Sequence, residues 1–334
     1  MSIRDLIHVL LPTFDGARFL AEQLDSLQGQ SHAEWRLLVR DDGSRDDSVD
    51  VVERYARSDS RIVRLADGAG HQGCAGSFGR LMAAARSEGA RAIAFADQDD
   101  VWLPDKLART LARLRDLERV RGAAHPALVH SDLLVVAEDG RLRHPSFLRY
   151  ERVRHDQAQP LRTLLTQNFV TGCTALFNAP LLDRALPLPP ETPMHDWWVA
   201  LCAAAFGTIA FEPAATVRYR QHPHTALGRK GFVNRLIPWR ADWGGLWRRG
   251  NRAHQQAWLQ ARSLQARLHA DPGADRERVV QLDACLSAFA AEVSGLVRVA
   301  RARRAGLRSQ HPLRTMLFYT RLLLGTHTRP ILDA

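Results

Sequence analysis

The stretch Ala90-Arg91-Ala92-Ile93-Ala94-Phe95-Ala96-Asp97-Gln98-Asp99-Asp100-Val101-Trp102 decides how the chain folds. Apart from Arg91, its first seven residues are apolar and predict a buried strand. The run stops at three carboxylates within four residues. Carboxylates this dense repel one another unless a cation neutralises them, and hard divalent cations take carboxylate oxygens. Asp97, Asp99 and Asp100 therefore read in two ways. They are a metal-diphosphate platform at a strand end, or a solvated acidic turn before a helix.

Upstream, residues 8–11 predict a first strand, ended by Pro12. Residues 17–28 carry Phe19, Leu20, Leu24 and Leu27 at helical spacing. Residues 35–39 predict a second strand running into Arg40-Asp41-Asp42-Gly43-Ser44, and Asp46 to Ser48 are placed to cap the helix that follows. Residues 62–65 predict a third strand. Gly68, Gly70, Gly73 and Gly76 punctuate a loop, and residues 78–86 predict a third helix. Such alternation implies a parallel sheet with helices on both faces. Ligands bind such sheets beyond the carboxyl ends of the strands, where the polar clusters around Thr13, Asp41 and Asp97 all fall.

Downstream, residues 103–115 predict a helix, 128–136 a strand and 161–167 a helix. Gly172, Cys173 and Thr174 sit in a strand or bend beside the expected pocket. Met194-His195-Asp196-Trp197-Trp198 heads an apolar helix through Ala205, and residues 211–220 return as a strand ending at Gln221-His222-Pro223-His224. Asp196 is an N-cap beside core aromatics, or a general base at a helix start with tryptophans walling a sugar site. Asp41 and Asp42 make a turn, or accept hydrogen bonds from a nucleotide backed by a helix N-terminus. His222 is structural, or ligates metal or phosphate if its strand end returns to Asp97.

Length and composition bound these readings. A chain of 334 residues suggests about two domains, and 46% hydrophobic with 25% charged residues is the balance of a folded protein. The four cysteines are scattered, which implies neither a zinc site nor a disulfide framework. The first residues lack a signal-peptide pattern, and the longest apolar stretch, 199–211, is too short to span a bilayer. The expectation is a cytoplasmic protein. Net charge is +10, but residues 229–334 hold 19 Lys and Arg against 7 Asp and Glu. That shift sets an expected division at 1–228 and 229–334. Two long Arg- and Ala-rich helices, 244–269 and 276–304, and a shorter segment at 313–324 are expected in the second part. No nucleic-acid-binding signature accompanies the basic tail, so no nucleic-acid partner is expected. A solvated face and a peripheral contact with anionic membrane both fit it, and Trp239, Trp243, Trp247 and Trp258 among the arginines suit the latter.

Taken together, several pieces resemble glycosyltransferase family 2, the inverting GT-A enzymes, and within it bacterial rhamnosyltransferase-type enzymes of surface polysaccharide synthesis. The pieces are Leu11-Pro12-Thr13-Phe14-Asp15-Gly16, Glu22-Gln23-Leu24-Asp25-Ser26-Leu27, Arg40-Asp41-Asp42-Gly43-Ser44, Asp97-Gln98-Asp99-Asp100-Val101-Trp102, His195-Asp196-Trp197-Trp198 and Tyr219-Arg220-Gln221-His222. The resemblance implies an α/β GT-A fold, Rossmann-like, with a mostly parallel sheet flanked by helices and a C-terminal helical extension. It implies nucleotide contacts at Thr13, Asp41 and Asp42, the ribose at Asp97, and Mg2+ or Mn2+ at Asp99 with His222 by the metal and diphosphate. It implies Asp196 as general base, and a sugar or acceptor pocket at His195, Trp197, Trp198, Gly172 and Trp102. The implied reaction moves a sugar, with dTDP-L-rhamnose favoured and a UDP-sugar the alternative, to a surface-glycan or lipid-linked acceptor at the inner face of the cytoplasmic membrane. Two other classes stay open: a nucleotidyltransferase, whose Gly-rich basic loop is missing after the first strand, and a non-catalytic glycan-binding or scaffold protein.

Overall fold

The structure is a computed structural model that describes residues 5–222 and 243–326. Strands and helices alternate through its first part: β1 (Ile7–Thr13), α1 (Ala17–Gln28), β2 (Trp35–Asp41), α2 (Ser48–Ser58), β3 (Ile62–Arg64), α3 (Gly73–Ser87) and β4 (Ala92–Phe95). β3, β2, β1 and β4 are neighbours in that order and all parallel. Helix α1 has the expected bounds, and Phe19, Leu20, Leu24 and Leu27 are the face it buries.

Three local departures have physical causes. β1 runs through Pro12 to Thr13 instead of ending before the proline. Backbone groups of Leu10 and Pro12 point the same way, toward β4. The last bond there is the Ala96 N–H to the Leu10 carbonyl, so the N–H that proline lacks has no strand to serve. Helix α3 starts five residues early, inside the glycine-punctuated segment, because the Asp42 carboxylate accepts the Gln72 and Gly73 N–H groups at 2.7 and 2.8 Å. The expected cap residues of α2 also serve another helix: Asp46 accepts from Ala17 and Ser48 Oγ from Gly16, at the start of α1.

After β4 come β5 (Val101–Trp102), α4 (Lys106–Arg121), β6 (Ala127–Ala137), β7 (Leu142–His144), α5 (Phe147–Glu151), α6 (Pro160–Leu164), β8 (Leu176–Asn178), α7 (Ala179–Ala185), α8 (His195–Phe206) and β9 (Thr208–Gln221). The sheet continues β4-β8-β6-β9-β5, with β7 on β6. β8 is antiparallel to both β4 and β6, β6 and β9 are parallel, and β5 is antiparallel to β9. The parallel expectation therefore holds up to β4, and the whole is a mixed sheet. Helix α8 is buried nearly all round, as a helix packed on both sides must be.

The last part is helical: α9 (Trp243–Ala270), α10 (Arg276–Leu286), α11 (Gly295–Arg304) and α12 (Pro312–Leu324). The single helix expected over 276–304 is broken. Ser294 caps α11, and the buried Arg298 guanidinium donates to the Ala290 and Ala291 carbonyls left open at the break. Leu264, Leu268, Phe289, Leu307, Phe318 and Leu322 belong to the same apolar cluster as Phe78, Phe95 and Trp198. The expected boundary at 228/229, with His224 and Trp239, lies outside the described residues, as does the Trp243 side chain. Trp247 lies under Arg321 and Trp258 under Arg262. Among the described residues no helix is long and apolar enough to cross a membrane.

Candidate active site

A cavity of about 1030 Å3 opens where β1 and β4 end and α8 begins. Thr13, Asp42, Asp97, Asp99, Gly172, His195, Asp196, Trp197 and His222 all line it. These residues come from six separate segments of the chain.

One wall is the Asp97–Asp100 segment. Gln98 ties it to the loop after β1: its Oε1 accepts the Thr13 hydroxyl at 2.8 Å and the Phe14 N–H at 2.9 Å, and its Nε2 donates to the Phe14 carbonyl at 3.0 Å. The Gln98 amide passes where a Gly16 side chain would stand, so a Cβ there would meet Oε1. Asp97 keeps a partial opening to the cavity but is otherwise enclosed. Burial, then the charges of Asp99 and Asp196, push its carboxyl up to about 7. Asp99 Oδ2 lies 2.8 Å from His222 Nε2, so the end of β9 does return to the acidic segment. Asp100 is fully buried, accepts the Arg220 N–H, and is pushed well above the usual carboxylate range by burial, then by Asp99 and Asp97. Arg220 closes this corner by donating to the Asp99 and Glu138 carbonyls and to Glu22.

The donor set decides where a divalent cation fits. Asp99 and His222 offer a carboxylate and an imidazole side by side at the cavity wall, and the carboxylate is the hard oxygen donor that Mg2+ or Mn2+ takes. Asp97, Asp100 and Cys173 also converge. There, however, the thiol is buried and pushed upward by burial, then by Asp100 and Asp97, a setting that favours a neutral hydrogen-bonded cluster over a hard-metal site. Lys106 lies buried over the Trp102 ring at 3.9 Å, and burial lowers its ammonium to about 8.

The opposite wall is the start of α8. Asp196 Oδ2 accepts the Gly172 N–H at 2.9 Å, and Oδ1 accepts the Trp197 N–H at 2.6 Å and the Asn168 amide at 3.3 Å. Burial raises this carboxyl to about 6 against the pull of those N–H groups. His195 stacks on Phe78 with ring centres 3.5 Å apart, and burial lowers it to about 3, so it is neutral. Gly172 approaches both residues: a Cβ there would lie 3.0 Å from His195 Nε2 and 3.3 Å from Asp196 Cβ.

Several expected site residues stand elsewhere. Trp102 and Trp198 are core residues, 2% and 0% exposed, and neither lines the cavity. The Trp198 indole donates to the Ala185 carbonyl. Strand β5 and the inner face of α8 turn these rings away, which corrects their assignment to a sugar pocket. Trp197 does reach the cavity, with its indole on the Leu164 carbonyl. Asp41 does not line the cavity either; it accepts the Gly43 and Ser44 N–H groups. Asp42 lines it, but its oxygens serve Gln72, Gly73 and the buried Arg40. Burial alone would raise Asp42, and those donors outweigh it, leaving its pKa below the usual value. Gln98, Asn168, Arg40 and Arg220 were not singled out as site residues. A buried-strand arginine directly before two acids is the signal that could have found Arg40.

The model of Glycosyl transferase family 2 matches residues 8–183, more than half of the chain, and the chain belongs to that family. The teichuronic acid biosynthesis glycosyltransferase TuaG of Bacillus subtilis, itself named as putative, is 32% identical over 183 residues, 54% of this chain and 63% of TuaG. The dTDP-rhamnosyl transferase RfbG of Shigella flexneri is 29% identical over 102 residues, 30% of this chain and 35% of RfbG. The chain thus spans less than two thirds of the length of these curated relatives. Among solved structures, S. aureus TarS 1–349 superposes with a TM-score of 0.57 at 14% identity, covering 96% of this chain and 88% of that one. The mannosyltransferase PcManGT of Pyrobaculum calidifontis, solved with GDP-Man and Mn2+, gives 0.53 at 18% identity, covering 96% and 85%. Both share the GT-A-type fold.

Proposed function

We propose that this chain is an inverting, metal-dependent glycosyltransferase that moves a sugar from a nucleoside-diphosphate donor to a bacterial surface-glycan or lipid-linked acceptor. The observation that carries the reading is one cavity with an enclosed carboxylate, Asp196, at a helix start and the Asp97/Asp99/His222 group on the facing wall. Asp196 takes the proton of the acceptor hydroxyl as that oxygen attacks the anomeric carbon from the face opposite the leaving group, and the configuration inverts. Gly172, Trp197 and Asn168 hold the Asp196 oxygens in place for this transfer. Asp97 receives the ribose, and the loop after β1, held by Gln98 at Thr13 and Phe14, receives the base. Asp99 and His222 would hold a divalent ion, which would supply Lewis-acid stabilisation of the departing diphosphate. Its support here is the Asp99–His222 pair, together with the Mn2+ named for PcManGT.

For the donor we favour dTDP-L-rhamnose, on the His195-Asp196-Trp197-Trp198 pattern and the likeness to RfbG. A UDP-sugar is the second reading, supported by TarS 1–349 having been solved with UDP-GlcNAc. The division at 228/229 remains our proposal for where the transferase body ends, and the basic second part supports peripheral contact with an anionic membrane on the cytoplasmic side. One assay tests the core of this. The full chain is given dTDP-L-rhamnose, UDP-GlcNAc or GDP-mannose with Mn2+ and a lipid-linked acceptor, and released nucleotide is measured. Release of nucleoside diphosphate with glycan extension is expected. Release of pyrophosphate would make it a nucleotidyltransferase, and binding without release a lectin-like protein.

A further inference from the structure

A second concavity, of about 1050 Å3, lies between α11, α12 and the segment after α5. Its apolar lining is unusually exposed: Leu296 is 75%, Met316 56% and Leu323 45% accessible. Three guanidinium side chains, Arg154, Arg303 and Arg308, stand at it, against one carboxylate, Asp156. Asp156 is already occupied by the Thr163 hydroxyl and the Ala158 and Gln159 N–H groups. An exposed apolar trough with surplus positive charge matches an amphiphile that joins an apolar chain to a phosphate. A concave trough suits one chain, whereas a bilayer presents a broad face.

The trough adjoins the catalytic cavity. Glu151 and Val153 line the cavity while Arg154 lines the trough, and on α12 Arg314 faces the cavity while Thr315 and Met316 face the trough. This shared wall is fixed. The Gln310 side chain exchanges two hydrogen bonds, both 2.7 Å, with the Arg154 backbone. The Gln310 N–H and the Arg308 carbonyl are held by Gln167 and Thr166, next to Asn168, which holds Asp196. The geometry points to the α11–α12 trough as the seat of the acceptor's apolar chain and phosphate, from which its terminal sugar reaches Asp196 over the wall of Glu151 and Arg314. This rests on the glycosyltransferase reading with a phosphate-linked lipid acceptor.

The test is a binding measurement that needs no turnover. The full chain, without added metal, is titrated with geranylgeranyl diphosphate as the probe, then with inorganic diphosphate, and floated with vesicles of phosphatidylglycerol and phosphatidylcholine. The probe is expected to bind at least about tenfold more tightly than inorganic diphosphate, and Met316→Glu and Arg308→Glu each to weaken it about tenfold or more. Both side chains are exposed, so the melting temperature stays in place. Equal binding of probe and inorganic diphosphate, or probe binding untouched by both variants, overturns the proposal. Vesicle flotation lost in both variants without probe binding also overturns it and makes the face a membrane contact. Concentration-dependent dimerisation abolished by Leu296→Glu would give the trough to a second copy. Probe binding that behaves as expected in a chain that releases no nucleotide leaves the trough standing and removes the transferase reading.

Discussion

Asp97 and Asp196 face the same cavity, and both are held above the ordinary carboxylate range by enclosure. Their surroundings differ in kind. Asp97 is bordered by other carboxylates, Asp99 and Asp196 among them, with the Cys173 thiol as its donor. Asp196 is bordered by the N–H groups of Gly172 and Trp197 and by the Asn168 amide. The first arrangement sets carboxylates against one another, which holds a proton on Asp97 and leaves Asp99 to pair with His222. The second is satisfied from within and has one thing left to accept, a proton. Enclosure alone therefore does not assign a role; the sign of the neighbours does.

The contrast is breakable. Asp196→Asn keeps the N–H partners and removes the proton acceptor, so kcat should fall by about 10²–10⁴-fold with the donor KM little changed; near-normal turnover would move the base elsewhere. Asp99→Ala should cost about 10²-fold and flatten the response to Mn2+, read by titrating the metal against rate; an unchanged metal response would return the cation to Asp97. Acid should act on the Asp196 side. With the carboxylate as the proposed working form of Asp196 and burial raising it to about 6, kcat/KM should drop at least about tenfold from pH 7 to pH 5. In Asp196→Asn that acid limb should vanish. Gly172→Ala crowds His195 Nε2 at 3.0 Å and should lower kcat by about three- to tenfold, by displacing Asp196. Trp102→Phe should leave the acceptor KM within about twofold, because that ring lies in the core.

The half of the sheet up to β4 was legible because β1, β2 and β3 are each followed by a helix and β4 is a continuous apolar run. In the other half the long strands β6 and β9 were also legible, as the apolar runs 128–136 and 211–220, but β8 and β5 were not. β8 is three residues long and β5 two, and what places them is partners far along the chain, such as Val217 and Arg218 for β5. Local periodicity carries no record of that. The site divides in the same way. Asp97, Asp99, Asp196 and His222 could be named as candidates because polar residues at the ends of apolar runs stand out. Trp198 misled where Trp197 did not, because an aromatic beside a candidate base looks the same in sequence whether its ring faces the cavity or the core. Asp42 shows the converse. It has the position of a ligand contact, yet it pairs with Arg40, which is 1% exposed, and caps α3. Removing one partner of such a buried pair costs about 3–5 kcal/mol, so loss of activity in an Asp42 variant needs a stability measurement beside it.

Gly16 and Gln98 carry a consequence for how the sequence can drift. The Gln98 amide occupies the space a side chain at position 16 would need, and it also holds Thr13 and Phe14. A side chain at 16 would push the Gln98 amide aside and break its bonds to the loop after β1. Across related chains the two should therefore vary as a pair, a bulkier residue at 16 arising only where position 98 has shrunk and another group has taken over the bonds to the loop after β1.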